Sequence, residues 1–197
     1  TIMAIDYKKP HKFNRNMSEK LEFLLWATCT PGKSSAEITP KFNALAVEHN
    51  LNKLVTKPIQ DIVSALKQFK IGQYTRISRA WDIIGKCLIG DQKIMSDKFL
   101  SHCHRDELLP IQGIGMKTAS FYCLSNHKWA DVAALDTHIL KWLQKEFPKY
   151  PVPKDTPTNR DEYRQLEAMF VGCATIFDMT AAELDLEIWQ EYSDNNN

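Results

Sequence analysis

The chain has 197 residues, of which 44% are hydrophobic and 25% are charged, so it can bury the core of one domain or of two small lobes, and wholesale disorder is excluded. No apolar run approaches the roughly 20 residues that cross a bilayer, which excludes a membrane-spanning helix. The formal net charge of +1 hides an asymmetry: residues 161–197 carry nine acidic residues and one basic residue, whereas residues 1–160 carry 24 basic and 15 acidic residues. This distribution permits phosphate binding without requiring it.

Helical periodicity dominates the first half of the chain. Asn16 and Glu19 form a capping-box pattern ahead of an apolar face at 21–28, and Thr39-Pro40 is typical of an N-cap followed by the first helical residue. Pro58 is a second candidate for a first helical residue. The clearest stripe at helical spacing consists of Ile77, Ala80, Trp81, Ile84 and Leu88.

The second half continues the pattern. Apolar positions at 135–143 and 166–177 predict two helices separated by the proline-rich stretch 148–157, and Thr180-x-x-Glu183 is typical of the start of a last helix. Alternating patterns are scarce, and only seven glycines are available for hairpins. We therefore predict an all-α protein of nine or ten short helices.

Residues 108–119 predict a helix-hairpin-helix motif, Leu-Leu-Pro-Ile-Gln-Gly-Ile-Gly-Met-Lys-Thr-Ala. A short helix ends before Pro110, two glycines permit a tight reversal, and a new helix starts near Met116. Backbone N–H groups at such a hairpin point outward and can bind a phosphate. The hairpin residues expected to contact such a phosphate are Gly113, Ile114, Gly115, Met116 and Thr118.

Lys117 lies in the first turn of the second hairpin helix, where a cation opposes the helix dipole. The same field favours the neutral amine, which is the form that attacks an electrophile. The alternative interpretation is a solvated surface lysine.

Asp136 lies 19 residues further on, in Leu-Asp-Thr-His, where another helix is predicted to begin. Asp is a good N-cap, and capping alone accounts for this position. A carboxylate there can also stabilise a cationic, sugar-like transition state or accept a proton, and an N-cap can serve both purposes.

The hairpin and the Leu-Asp-Thr-His segment together resemble the helix-hairpin-helix DNA glycosylases of the endonuclease III-like group, over about residues 21–189. The resemblance implies one glycosylase unit of two helical lobes with a DNA-binding cleft between them: lobe A spans about 21–130, and lobe B spans about 131–197 plus the N-terminal segment 1–20. It also implies that Lys117 forms a Schiff base, that Asp136 is the essential aspartate, and that the protein is both glycosylase and AP lyase.

The cysteine pattern narrows the resemblance. Many relatives bind an iron–sulfur cluster through four C-terminal cysteines, but Cys173 is the only cysteine after Cys123, so no such cluster is expected here. The loop Thr30-Pro31-Gly32-Lys33-Ser34 and the ending 183–189 are similar to the cluster-free type-2 8-oxoguanine glycosylases. The five irregularly spaced cysteines also favour a reducing, intracellular setting, with the compartment (cytoplasm, nucleoid or nucleus) left open.

The resemblance implies further site residues. No metal cofactor is expected, although hairpin carbonyls at Leu109, Ile111 and Ile114 are candidates to hold a monovalent cation. Additional expected DNA contacts are Lys33, Ser34, His138 and Lys141. The expected lining of the base pocket is Thr28, Cys29 and Phe170.

Three functions remain as alternatives at this point. The first is excision of a damaged base from double-stranded DNA by a monomer, with 8-oxoguanine favoured over oxidised pyrimidines or mismatched bases. The second is a non-catalytic helix-hairpin-helix module that binds DNA. The third is a helical interaction protein in which the Gly-x-Gly turn occurs by chance.

Overall fold

The computed structural model describes residues 4–90 and 94–194, and within these ranges it contains eleven helices and no β-strand. This confirms the all-α prediction, and the count exceeds the expectation because two of the helices are single turns, which periodicity does not reveal. In chain order the helices are α1 (Met17–Cys29), α2 (Ser35–Glu48), α3 (Leu51–Leu54), α4 (Ile59–Gln68), α5 (Tyr74–Ile89), α6 (Asp97–His102), α7 (Arg105–Leu108), α8 (Met116–Asn126), α9 (Thr137–Glu146), α10 (Arg160–Ile176) and α11 (Ala181–Asp194).

Two predicted helix starts are confirmed by their hydrogen bonds. At α1, the Asn16 side chain accepts from the Glu19 N–H at 3.0 Å, and the Glu19 carboxylate accepts from the Asn16 N–H at 2.7 Å. At α11, Thr180 Oγ1 accepts from the Glu183 N–H at 3.2 Å, and Glu183 accepts from the Thr180 N–H at 2.8 Å. Each pair of bonds satisfies amides that lack an acceptor within the helix.

The start of α2 differs from the prediction, because the helix begins at Ser35 and Pro40 lies inside it. Ile38 and Thr39 are buried, and the Trp26 indole N–H donates to Thr39 Oγ1 at 3.2 Å. Burial of this additional turn outweighs the backbone hydrogen bond that the proline removes. The expectation of Thr39 as N-cap is therefore wrong.

The first of two hydrophobic clusters is built on α1, whose residues 20–29 are all buried, and includes side chains from α2 to α8. In α5 the predicted stripe is buried except for Leu88, which is partly buried, and the Trp81 indole donates to Thr28 Oγ1 at 2.9 Å. At Gly85, a Cβ atom would lie only 1.8 Å from the Val55 carbonyl oxygen, so α5 packs this close to the end of α3 only with glycine.

The second cluster unites α9, α10 and α11 with Leu124 of α8. Its large side chains include Tyr163 and Phe170, both fully buried. Phe121 of α8 packs against both clusters, so this hairpin helix joins the two halves of the molecule.

The N-terminal segment 5–15 crosses both clusters. Ile5 packs in the first cluster, whereas His11 contacts Asp185 of α11 at 3.1 Å. Burial lowers the pKa of Arg15 to about 10, and its guanidinium donates to the Ser125 carbonyl at 2.9 Å. The segment thus contacts both clusters rather than lobe B alone, and the predicted boundary near residue 130 stays a prediction.

Candidate active site

The helix-hairpin-helix turn follows α7 directly. The Ile111 N–H donates to the Leu108 carbonyl at 3.1 Å, and the Ile114 N–H donates to the Ile111 carbonyl at 3.0 Å. Gly113 adopts φ +98°, and a Cβ atom on it would lie 3.1 Å from the Arg76 carbonyl oxygen. Both the backbone conformation and the close approach of α5 therefore require glycine at this position.

Gly115 serves a different purpose. It is the N-cap residue of α8 with extended backbone angles, and a Cβ atom on it would meet nothing within 4 Å. Within residues 94–194, no side chain caps this helix. The first-turn amides of α8 therefore point toward an open surface, which is the arrangement that binds phosphate.

Arg76 of α5 fixes the hairpin to the C-terminal end of α1 and to the turn before α5. Its guanidinium donates to the Gly113 carbonyl at 3.0 Å, to the Thr28 carbonyl at 2.7 Å and to Gln73 Oε1 at 2.8 Å. Gln73 in turn donates to the Pro31 carbonyl at 2.9 Å. One side chain thus holds two loops in a fixed relation.

Asp136 is the N-cap of α9, as predicted. Its Oδ1 accepts from the N–H groups of His138 at 2.9 Å and Ile139 at 3.0 Å. The side chains of Asp136 and Lys117 are both partly exposed, and Lys117 is the second residue of α8. Each predicted catalytic residue therefore lies at a helix N-terminus with access to solvent.

The extended segment before Asp136 is held by α10. The Ala133 N–H donates to Glu167 Oε1 at 2.9 Å, and the Leu135 N–H contacts the Tyr163 hydroxyl at 3.2 Å. Glu167 also forms a buried ion pair with Arg105 of α7, with a distance of 2.6 Å from Nη1 to Oε2. The helix before the hairpin and the segment before Asp136 are therefore linked through one carboxylate.

Asp185 of α11 connects the two predicted catalytic residues. Its side chain is buried, and α11 packs against both α8 and α9. Burial raises the pKa of Asp185, His11 lowers it, and the charges of Asp136 and Lys117 raise and lower it respectively. The helices that carry Lys117 and Asp136 thus pack against the same helix, α11, in which Asp185 is buried.

A family model described as 8-oxoguanine DNA glycosylase matches residues 5–179, which is most of the chain. The chain belongs to this family. The match includes the hairpin, Lys117 and Asp136, and it ends before α11, which carries Asp185.

Two curated relatives carry the name 8-oxoguanine DNA glycosylase/AP lyase. The protein of Metallosphaera sedula is 33% identical over 85 residues, which are 43% of this chain and 39% of the relative. The protein of Thermoplasma acidophilum is 40% identical over 88 residues, which are 44% of this chain and 40% of the relative. The alignments thus span about two fifths of the length of these relatives.

Solved structures of the family share the fold. The Methanocaldococcus jannaschii 8-oxoguanine DNA glycosylase superposes with a TM-score of 0.72 at 21% identity, covering 95% of this chain and 84% of that chain. A complex of the same enzyme with a 15mer DNA containing 8-oxoguanine gives a TM-score of 0.70 at 20% identity, covering 92% and 84%. The Thermotoga maritima 8-oxoguanine DNA glycosylase gives 0.65 at 20% identity, covering 88% and 79%.

In this family member, the predicted DNA contacts fall into two groups. The side chains of Ile114 and Thr118 are buried, so only their backbone can meet a phosphate. Gly113, Gly115 and Met116 retain exposed or partly exposed surface at the hairpin. The predicted contacts outside the hairpin with exposed or partly exposed surface are Lys33, Ser34, His138 and Lys141.

Lys33 already has an internal partner, since its Nζ donates to the Cys29 carbonyl at 3.0 Å. Burial lowers the pKa of this amine, and the nearby Arg76 adds a second positive charge. His138 is also constrained, because its ring lies 6.1 Å from that of Tyr192, and its buried Nδ1 has no hydrogen-bond partner within the described residues. Lys141 and Ser34 project from the surface.

The three residues predicted to line the base pocket are all buried in this structure, and their role in a pocket stays a prediction. Thr28, Cys29 and Phe170 are fully buried, and Cys29 and Phe170 belong to different hydrophobic clusters. Burial raises the pKa of the Cys29 thiol to about 12, as expected for an inert core residue. These side chains pack in the hydrophobic interior of this structure. Periodicity in the sequence marks apolar faces, but it does not distinguish a core residue from one that lines a pocket.

Arg76, Glu167, His11 and Asp185 are site residues that the sequence analysis did not select. Asp185 lies within the ending 183–189, and Arg76 directly precedes the apolar stripe that begins at Ile77, so both are next to patterns that the sequence analysis used. Neither pattern indicates which buried partner a charged side chain reaches. His11 lies 174 residues from its partner, a separation beyond any local pattern.

The described residues contain neither a grouped set of metal-binding side chains nor a membrane-spanning helix. In residues 4–90 and 94–194, no three His, Cys, Asp or Glu side chains are grouped as a metal site. None of the helices described there is both long and apolar enough to span a bilayer. The carbonyls proposed for a monovalent cation lie in the hairpin, where that of Ile111 already accepts the Ile114 N–H.

Proposed function

We propose that this protein is a bifunctional DNA glycosylase and AP lyase that removes 8-oxoguanine from double-stranded DNA. The observation that carries this proposal is that Lys117 and Asp136 lie at the N-termini of α8 and α9, two helices that both pack against α11, beside the uncapped hairpin. The names of the relatives and the 8-oxoguanine-containing DNA of one structural neighbour support the choice of substrate.

The proposed reaction begins when the damaged nucleotide rotates out of the base stack and enters the cleft predicted between the two lobes. The neutral amine of Lys117 attacks C1′ of the sugar, the glycosidic bond breaks, and the base leaves with the bonding electron pair and acquires a proton. The sugar ring opens to an imine linked to Lys117 Nζ. Removal of a C2′ proton then expels the 3′ phosphate, which nicks the strand.

Asp136 has a defined role in this scheme. Its Oδ1 is bound to two backbone amides of α9, so Oδ2 is the atom available for the sugar. A fixed negative charge there stabilises the positive charge that develops at C1′ as the base departs. The apolar approach through residues 133–135 limits competing water.

The DNA backbone binds along the hairpin in this proposal. Amides at the start of α8 meet one phosphate, and Lys33, Ser34, His138 and Lys141 meet others. A monovalent cation at the carbonyls of Leu109, Ile111 and Ile114 would draw the next phosphate toward the turn. The protein acts as a monomer inside the cell, where its DNA substrate is found.

Borohydride trapping tests the proposal. The wild-type protein is incubated with duplexes that contain 8-oxoguanine, an oxidised pyrimidine, a mismatched thymine, uracil or an abasic site, and adducts are separated on a denaturing gel. We expect a covalent adduct with 8-oxoguanine and abasic duplexes, and its loss in Lys117→Gln. Lys57→Gln, at an exposed lysine outside the hairpin, is the matched control and should retain the adduct.

Two results would decide against this function. Binding of all duplexes without any adduct would indicate a non-catalytic DNA-binding module. An adduct that forms with oxidised pyrimidines or mismatches in preference to 8-oxoguanine would move the substrate to another base while leaving the lysine chemistry in place.

A further inference from the structure

The segment that leads into Asp136 is extended, and within residues 94–194 it has no partner strand. Ala133, Ala134 and Leu135 are buried, so their backbone N–H and C=O groups are removed from water. Buried backbone groups are stable only where they are hydrogen-bonded. Side chains must therefore take the place of a neighbouring strand here.

Tyr163 of α10 binds this segment at two points. Its hydroxyl donates to the Ala133 carbonyl at 2.7 Å and accepts from the Leu135 N–H at 3.2 Å. The side chain is fully buried, and burial raises the pKa of its hydroxyl, so the proton that the first bond requires stays on the oxygen. Glu167 adds a third point by accepting from the Ala133 N–H at 2.9 Å.

Thr156 binds the peptide group that joins Leu135 to Asp136. Its Oγ1 donates to the Leu135 carbonyl at 2.7 Å. Because a peptide group is planar, this bond fixes the plane that is attached directly to the Asp136 Cα atom. Together with Tyr163, it holds three consecutive peptide groups before Asp136.

The proline-rich stretch 148–157, which carries Thr156, is itself anchored. Gln144 of α9 donates from Nε2 to the carbonyls of Val152 and Pro153, each at 3.2 Å. The four prolines of the stretch restrict its backbone further, since each fixes its own φ. Thr156 therefore extends from a segment that is tied to the same helix that Asp136 caps.

Asp136 is thus held from both sides. Its Oδ1 accepts the N–H groups of His138 and Ile139, and the peptide groups before it are bound by Tyr163 and Thr156. A rotation of the preceding peptide group would shift the Asp136 carboxylate, and charge stabilisation of a transition state depends on a fixed position of the charge.

We propose that Tyr163 and Thr156 are positioning residues for Asp136, which keep its Oδ2 atom in place for the sugar whose base is removed. This inference rests on the proposed function, because it concerns the aspartate of that reaction. The two residues act through the backbone of the segment and do not themselves meet the DNA.

Single-turnover excision from an 8-oxoguanine duplex at saturating protein tests this role, together with the dissociation constant for a duplex that contains a tetrahydrofuran abasic analogue. For Thr156→Val, which keeps the shape but removes the hydroxyl, we expect a rate about 10-fold lower and a dissociation constant within about two-fold of wild type. Thr156→Ser keeps the hydroxyl and should restore most of the rate. For Tyr163→Phe, which releases two peptide groups, we expect a rate about 30-fold lower.

A double-mutant cycle separates positioning from a general structural role. In Asp136→Asn the charge to be positioned is gone, so adding Thr156→Val should lower the remaining rate by less than about two-fold. If Thr156 only stabilised the fold, the same substitution would lower the rate by an equal factor in both backgrounds.

The matched controls lie in the half of the molecule built on α1. Thr56→Val removes a hydroxyl that donates to the Lys53 carbonyl at 2.9 Å, and Tyr122→Phe removes a fully buried hydroxyl that donates to the Leu100 carbonyl at 2.8 Å. Both should lower the melting temperature by no more than a few degrees and leave the excision rate within about two-fold of wild type. All rates are measured well below the melting temperature of each variant.

The outcomes separate the two proposals. Wild-type rates in both Thr156→Val and Tyr163→Phe, or equal losses from Thr156→Val in the wild-type and Asp136→Asn backgrounds, would overturn this inference alone. The Thr156 variants decide the matter if Tyr163→Phe does not fold. Absence of both excision and adduct with the wild-type protein would overturn the proposed function and this inference with it.

Discussion

At the residue scale, Asp136 has a capping role and a proposed catalytic role that the sequence could not separate. Its Oδ1 caps α9 through the N–H groups of His138 and Ile139, which accounts fully for an acidic residue at this position. Its side chain is also partly exposed, at the start of a helix that packs against α11, as the helix of Lys117 does. The two roles depend on different properties, since capping needs an oxygen acceptor and the chemistry needs a negative charge.

The Asp136→Asn variant distinguishes these roles. Asparagine caps about as well as aspartate, so we expect the melting temperature to stay within a few degrees of wild type. Because the charge is lost, we expect the glycosylase rate on an 8-oxoguanine duplex to fall by about 100-fold or more. Thermal denaturation and single-turnover excision measure the two effects, and intact activity would remove Asp136 from the catalytic residues.

At the element scale, the two hairpin glycines differ in what they require. Gly113 has a positive φ and packs against Arg76, whereas Gly115 has ordinary extended angles and faces open space. Packing therefore explains glycine at the first position only. The absence of a side chain at the second leaves the start of α8 accessible, which suits a ligand that approaches the backbone closely.

A pair of substitutions tests this difference. Gly113→Ala should lower the free energy of unfolding by about 1–3 kcal/mol, because alanine is strained at this φ. Gly115→Val should cost less than about 1 kcal/mol of stability but weaken DNA binding several-fold. Urea denaturation and fluorescence anisotropy with an abasic duplex measure the two properties, and equal binding by wild type and Gly115→Val would argue against phosphate binding at this turn.

The first turn of α11 gives a pH dependence. The backbone and side chain of Thr180 donate to Glu183 and lower its pKa below 4.5, with a smaller effect from the charge of Lys128. Because the folded pKa lies below the unfolded value, this contribution to stability is complete above about pH 4.5 and is lost as the pH falls through the folded pKa.

We therefore expect the wild-type melting temperature to fall more steeply between pH 5 and pH 3 than that of Glu183→Gln. Differential scanning calorimetry across this range measures the slopes. Asp178→Asn removes an acid that caps no helix and should retain the wild-type slope. Parallel slopes for wild type and Glu183→Gln would contradict the assignment.

At the scale of the whole molecule, the Arg105–Glu167 ion pair joins the two hydrophobic clusters. Arg105 precedes Leu108 of the first cluster, and Glu167 follows Leu166 of the second. Both side chains are only 10% exposed, and Glu167 also accepts the Ala133 N–H. The pair therefore fixes α7, the helix before the hairpin turn, relative to the segment that leads to Asp136.

Glu167→Gln tests the importance of this link. The amide preserves the shape and the bond to Ala133 but removes the buried partner of Arg105, which keeps only the exposed Asp106 carboxylate at 3.2 Å. We therefore expect a loss of about 2–3 kcal/mol in unfolding free energy. Asp82→Asn, in the exposed pair that Lys86 forms with Asp82 at 2.6 Å, should cost less than about 1 kcal/mol. Similar losses in the two variants would show that burial of the Arg105–Glu167 pair has little effect.

The sequence by itself determined the helical class, the starts of α1, α8, α9 and α11, and the positions of Lys117 and Asp136. These features depend on local rules: a capping box uses residues three apart, a hairpin uses consecutive residues, and an amphipathic helix repeats every 3.6 residues. The start of α2 was predicted wrongly because burial of Ile38 and Thr39 overrode the preference for a proline in the first turn.

Only the tertiary structure decided which side chains from distant parts of the chain contact each other. The contact between His11 and Asp185 joins residues 174 apart, and that between Arg105 and Glu167 joins residues 62 apart. It also placed Cys29 in the first hydrophobic cluster and Phe170 in the second. Desolvation and charge pairing depend on the packing of whole helices, and no local sequence rule contains that information.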